Sequence, residues 1–186
     1  LNYIIVDLEA TCWEVGTSVD RQEIIEIGAV RLRPPGLERE DTFAQFVRPV
    51  REPRLTPFCT ELTGIRQSDI EQAALFPEVF AEFVAWTGPE PFQLVSWGAY
   101  DFKQFVVECE RHGCPFPATF SNHLNLKAAF GVMRNSPPCG MARAMAVAGL
   151  LLEGRHHRAL DDAMNIAKLA AMILPALGDR VVPAGE

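Results

Sequence analysis

Two carboxylates one residue apart, Asp7 and Glu9, end an otherwise apolar run, and they are the first residues in this sequence whose placement suggests chemistry. In a strand, side chains alternate between faces. Tyr3, Ile5, Asp7 and Glu9 then share one side, and Asn2, Ile4, Val6 and Leu8 the other. Two acids held side by side repel each other and lose hydration, a cost that a divalent cation reverses. Taken alone, the pair is also compatible with Glu9 in open water and Asp7 capping the next loop. A third acid, Asp101, follows Ser96-Trp97-Gly98-Ala99-Tyr100 at the opening of an expected helix. It could join the pair, or serve only as a first-turn acid, a role that stabilises a helix by ~0.3–1 kcal/mol.

The last expected helix, residues 160–174, separates two further acids. On a 3.6-residue period Asp162 falls in the apolar row of Ile166, Leu169 and Ile173, and Asp161 in the row of Asn165, Lys168 and Met172. Asp162 is therefore the acid expected to face inward. His157 lies five residues earlier, about 140° away on an ideal helix, so it is expected on the loop before the helix, where it can swing over the site. His156 is an equal candidate on periodicity alone.

The elements that must position these residues read as an α/β domain. Residues 2–8, rich in β-branched side chains, form the first strand; residues 23–33 form the second, and Pro34-Pro35-Gly36 turns the chain into a third at 42–47. Helices follow at 57–62, 67–72 and 77–86, two of them opening at proline. Residues 92–97 form a strand, 100–112 a helix stopped by Gly113, 120–126 a fifth strand, and 141–148 and 160–174 the last helices. Residues 135–140 read as a loop and 181–186 as a frayed tail. This order predicts a mixed five-stranded sheet with strand one central and helices flanking it, and a site at the strand carboxyl ends, where Asp7 and Glu9 fall.

At 186 residues and 48% apolar composition the chain is sized for one domain with its own core, taken as residues 1–186 with the essential part at about 3–174. The longest apolar stretch, residues 144–152, is far short of the ~20 needed to span a membrane, and the start shows no basic segment before an apolar run. A soluble, cytoplasmic protein with no membrane association is expected, and the missing initiator methionine is read as a cropped or processed start. Five cysteines without a C-x-x-C pair fit reduced thiols. Cys109, His112 and Cys114 lie near one another, but no fourth zinc ligand is close in the sequence.

The net charge of −7 hides an asymmetry. Residues 1–30 carry six acids against Arg21 alone, and residues 127–158 carry five basic side chains against Glu153 alone. One part of the chain can hold cations and another phosphates, although solvated surface charge produces the same counts.

Three ordered segments carry a resemblance. Val6-Asp7-Leu8-Glu9-Ala10-Thr11-Cys12 resembles the D-x-E motif of the DEDDh 3′-to-5′ exonuclease superfamily. Ser96-Trp97-Gly98-Ala99-Tyr100-Asp101 resembles the segment bearing its central aspartate, and His157-Arg158-Ala159-Leu160-Asp161-Asp162 its H-x-A-x-x-D pattern. Thr56-Pro57-Phe58-Cys59-Thr60-Glu61-Leu62-Thr63-Gly64-Ile65 and Gly154-Arg155-His156-His157 are similar to the branch of the histone-mRNA 3′ exonuclease, the prion-protein-interacting exonuclease and KapD-type proteins.

The resemblance implies an RNase H-like fold and hydrolysis of single-stranded RNA 3′ ends to nucleoside 5′-monophosphates. It selects His157 over His156 as the general base and makes Asp7, Glu9, Asp101 and Asp162 ligands of two Mg²⁺ or Mn²⁺ ions, with Asp7 bridging. Glu9, Ala10, Thr11, Leu62, Thr63 and His157 would meet the terminal nucleotide; the bland reading of residues 62–64 is a helix end stopped by Gly64. Trp97 and Tyr100 could stack on bases or belong to the core, and Phe76, Phe80 and Phe83 are core by their helical spacing. The alternatives are a DNA 3′ exonuclease and a binding scaffold with vestigial catalysis; a protein partner is not identifiable.

With so acidic a domain, RNA affinity is expected to be modest and to weaken steeply with salt. Filter binding of a short oligonucleotide between about 50 and 200 mM salt checks this, and tight binding that ignores salt contradicts it.

Overall fold

The computed structural model describes residues 1–16 and 18–177. Its centre is β1, Asn2–Ala10, because every other strand is added outward from it. β2, Ile24–Arg33, pairs antiparallel with β1, and β3, Glu38–Phe46, antiparallel with β2; β4, Phe92–Ser96, and β5, His123–Asn125, extend the other side in parallel. The order β3-β2-β1-β4-β5 is the mixed sheet with central strand one that the sequence predicts. β3 begins four residues earlier than expected. Its first half, Glu38 to Asp41, is polar because it lies on an exposed edge, where no apolar alternation is needed to mark a strand.

Seven helices are described: α1 Pro57–Thr63, α2 Gln67–Ile70, α3 Phe76–Thr87, α4 Tyr100–His112, α5 Leu126–Arg134, α6 Met141–Val147 and α7 Ala159–Leu177. α1 starts where proline fits a first-turn position and Thr56 Oγ1 accepts from the Cys59 amide at 3.0 Å. The expected strand over 120–126 is shorter than read. Phe120 sits in a 3-10 turn, Ala118–Ser121, with its ring buried against Phe80, Phe83 and Phe92. Leu126 then opens α5, a helix the strand assignment did not anticipate. Asn125, whose Oδ1 accepts from the Ala128 amide at 3.0 Å, is the capping signal that points to it. The tail expected at 181–186 lies outside the described residues. No described helix is long and apolar enough to cross a membrane.

The pleat of β1 divides the core in two. Ile4, Val6 and Leu8 face α3 and α4, in a cluster holding Phe76, Phe80, Phe83, Phe105 and Phe120. Each fully buried side chain of this size stabilises by roughly 1.5–3 kcal/mol before entropy is charged against it. Ile5 faces the opposite cluster, built from α5, α6 and α7. Asp7 and Glu9 share the parity of Ile5 and so project toward α7.

What lets α7 come close is Gly28, the residue of β2 paired with Asp7. A Cβ at Gly28 would stand 2.2 Å from the Ala159 carbonyl carbon and the Leu160 amide nitrogen, so the backbone at the start of α7 occupies the space a side chain would take. Gly28→Ala should therefore destabilise by at least about 2 kcal/mol, through overpacking against rigid backbone. Urea denaturation checks it; an unchanged midpoint would mean that α7 is free to shift.

Candidate active site

Three elements converge at the carboxyl end of β1. Asp7 and Glu9 leave β1, Asp101 stands in the first turn of α4, and Asp162 in the first turn of α7. With His156 and His157 from the preceding turn they line one cleft of about 350 Å³, together with Leu62, Trp97, Tyr100 and Met141. Carboxylate oxygens of Asp7, Glu9 and Asp162 come within 4.8 Å of one another. Asp101 is tied in from the opposite layer, its Oδ1 accepting from the Leu8 amide at 3.0 Å.

The electrostatics are those of a cluster short of positive charge. Burial, then the neighbouring Asp101, Glu9 and Asp162, push the Asp7 carboxyl well above its ordinary range. Burial, followed by Asp162, Glu26 and Asp101, raises Glu9 to about 9. Burial also raises Asp101 to about 7, against the opposing pull of the Leu8 amide. No lysine or arginine lines the cleft among the described residues. An oxygen-rich, mutually repelling donor set of this kind fits hard divalent cations, which supply the missing charge and accept only oxygen ligands readily.

The turn bearing the histidines is held on both sides. Glu26, paired with Glu9 across the strands, accepts from Arg158 Nε at 3.1 Å and Nη2 at 2.8 Å, and from the Ala159 amide at 3.0 Å. Asp162 Oδ2 accepts from the His157 amide at 2.9 Å, and His156 Nδ1 lies 2.8 Å from the same oxygen. Asp161 faces away and caps the turn by accepting from the Arg155 amide at 2.8 Å. A Cβ at Gly154 would meet that carboxylate at 2.3 Å, and Gly154 has φ 71, so the position accepts only glycine. His157 is held at φ 65, an uncommon conformation for a residue with a side chain, and such strain persists only where surrounding bonds over-determine it. Its imidazole titrates below its ordinary value, because of burial and then the adjacent His156 ring.

Among the expected site residues, Asp7, Glu9, Asp101, His157 and Asp162 meet in the cleft, and Ala10 and Leu62 line it. Thr11 and Thr63 do not. The Thr11 hydroxyl accepts from the Glu23 amide and the Thr63 hydroxyl is bonded between Cys59 O and Ile65 N, so both buried side chains brace the backbone instead. Glu26 and Arg158 were not singled out by motif or period. The signal for Glu26 was present: a lone charge inside an apolar strand is rarely buried unless paired. Trp97 borders the cleft and packs on Phe130, with ring centroids 5.9 Å apart. Asn165, on the row read as polar, is fully buried and bonded to the Glu153 backbone through both amide atoms. His112 turns its Nε2 to Glu108 at 3.3 Å, and all five cysteines are free thiols.

Comparison with known proteins places this geometry. A family model described as an exonuclease, RNase_T, matches residues 4–170. The human 3′-5′ exoribonuclease 1 is 32% identical over 179 residues, covering 91% of this chain and 51% of that protein. The Drosophila 3′-5′ exonuclease Snipper is 31% identical over 190 residues, covering 90% of this chain and 68% of that protein. The chain thus spans about half the length of the mammalian 3′-5′ exoribonuclease 1 proteins it matches. A crystal structure of the nuclease domain of 3′hExo, a DEDDh family member bound to rAMP, superposes with a TM-score of 0.90 at 30% identity, over 100% of this chain and 97% of that one. The five-stranded sheet described above is the RNase H-like fold of that neighbour.

The raised carboxyls have a consequence for stability without metal. A carboxyl whose folded pKa exceeds its unfolded one favours folding while protonated. That contribution is complete below the unfolded value and is lost as pH rises; for Glu9 the window runs from 4.5 to about 9. In chelator the melting temperature should fall as pH rises across that window, and Mn²⁺ should reverse the fall. Asp7→Asn should melt several degrees higher than wild type in chelator at pH 8 and gain less from Mn²⁺. Scanning calorimetry checks both; an Asn variant that is less stable in chelator contradicts the account.

Proposed function

The chain belongs to the RNase_T exonuclease family, and from that premise we propose that it is a metal-dependent 3′-to-5′ exonuclease that removes nucleoside 5′-monophosphates from single-stranded RNA ends. The observation that carries the proposal is the meeting of Asp7, Glu9, Asp101 and Asp162, from three separate parts of the chain, in one cleft with His157. The names of its relatives, 3′-5′ exoribonuclease 1 among them, support RNA as the substrate class.

In this reading Asp7, Glu9, Asp101 and Asp162 hold two Mg²⁺ or Mn²⁺ ions. Such a pair, when bound, lowers the cost of forming the nucleophile from water and steadies the departing 3′ oxygen. The protein's own groups do the rest. His157 accepts the proton of the attacking water, a role that needs a neutral ring, and burial shifts its titration in the direction that favours that form. The Asp162 carboxylate fixes that turn through the His157 amide. Leu62, at the end of α1, Trp97, just after β4, and Tyr100, the first residue of α4, provide the apolar surfaces on which the terminal nucleotide rests.

With Mg²⁺, a 5′-labelled RNA should shorten one nucleotide at a time, while a 3′-labelled one should release labelled mononucleotide at once. Endonucleolytic fragments, or full activity in chelator, would remove the proposal. Asp7→Ala should lose at least about a thousandfold in turnover while staying folded, and His157→Ala about 10²–10⁴-fold. Equal-length DNA measured beside the RNA discriminates the DNA 3′ exonuclease, because only the 2′-hydroxyl differs between the substrates.

A further inference from the structure

The oxygen cluster does not use every ligand at the cleft. His156 and His157 are consecutive, and consecutive side chains share a face in neither helix nor strand. The left-handed backbone at His157 brings them together, with ring centroids 4.1 Å apart and planes within 23°. One ligand atom from each imidazole and one Asp162 oxygen all lie within 4.8 Å of one another, and His156 Nδ1 is 2.8 Å from Asp162 Oδ2. The His156 side chain is 43% exposed, so an ion reaches it from solvent, whereas Asp162 is 6% exposed beneath it. Two neutral imidazoles and a carboxylate match the ligands of Zn²⁺ and not those of Mg²⁺, which takes oxygen and dehydrates reluctantly.

We propose that His156, His157 and Asp162 form a site for Zn²⁺, distinct in ligand type from the oxygen cluster but sharing Asp162 with it, through which zinc arrests the enzyme. Ligation through Nδ1 requires the His156 proton to sit on Nε2, and it replaces the contact between Nδ1 and Asp162 with two bonds to the ion. It also occupies the lone pair with which His157 would accept a proton, and it turns Asp162 away from the hard ions. Occupancy of the site stands on the geometry alone. Arrest rests on the exonuclease reading.

Tag-free full chain is titrated calorimetrically with Zn²⁺, and with Co²⁺ as a coloured stand-in followed by its visible absorption. Asp7→Asn, which breaks the oxygen cluster, should bind Zn²⁺ within about threefold of wild type, whereas His156→Gln should weaken binding by at least about tenfold and lose the Co²⁺ band. Affinity that survives His156→Gln, or disappears in Asp7→Asn, overturns the site. In Mg²⁺-supported digestion, half-arrest of His156→Gln should need at least about tenfold more Zn²⁺ than wild type, each referred to its own uninhibited rate. Equal sensitivity overturns the arrest. Absence of any Mg²⁺-supported cleavage would instead count against the exonuclease reading, with the isotherms still deciding the zinc site.

Discussion

Repulsion among buried carboxylates is the constraint around which this molecule is built. Asp7, Glu9, Asp101 and Asp162 each come from an element that would be more stable with an apolar or solvated residue in that place. Burial, and then the neighbouring acids, raise the affinity of Asp7, Glu9 and Asp101 for protons. A fold that tolerates this needs rigid support, since any slack would let the acids separate and recover hydration. The support is the two-sided packing of β1, with an aromatic layer on one face and α7 on the other.

Where the repulsion could be relieved without loss of the cluster, it is. Glu26 stands across from Glu9 and would be a fifth buried negative charge, but Arg158 and the Ala159 amide take both of its oxygens. That bond also anchors the start of α7, so neutralising an acid and placing Asp162 are one act. The Leu8 amide does the same for Asp101, joining the central strand to α4. The relief stops short of the cleft itself, which no lysine or arginine lines among the described residues. Charge left uncompensated there is what gives the site its demand for cations.

The histidine turn shows the opposite economy, a local strain held by many bonds. Gly154 yields to Asp161, the Arg155 and His157 amides each find a carboxylate, and Arg158 is fastened to β2. The left-handed residue between them is a result of those fastenings rather than of its own preference. The same turn that brings His157 to the cleft stacks it on His156, so two imidazoles are presented side by side.

Much of this was legible in one dimension. Alternation in β1 assigned Asp7 and Glu9 to one face, and the helical period of α7 preferred Asp162 to Asp161, because both are local periodicities set by backbone geometry. The order of strands and helices was enough for the sheet, with misreadings at β3 and β5, where an exposed edge and an asparagine cap conceal or shorten the pattern. Tertiary structure alone decided the rest. Glu26 gains its role from Arg158 and the Ala159 amide, Gly28 from the backbone lying on it, and His156 from a turn that Asp161 and Asp162 close and Glu26 fastens to β2. The contacts of Glu26 with Arg158 and of Gly28 with Ala159 span more than a hundred residues of chain, and side-chain spacing along a sequence carries no record of the separations that folding closes.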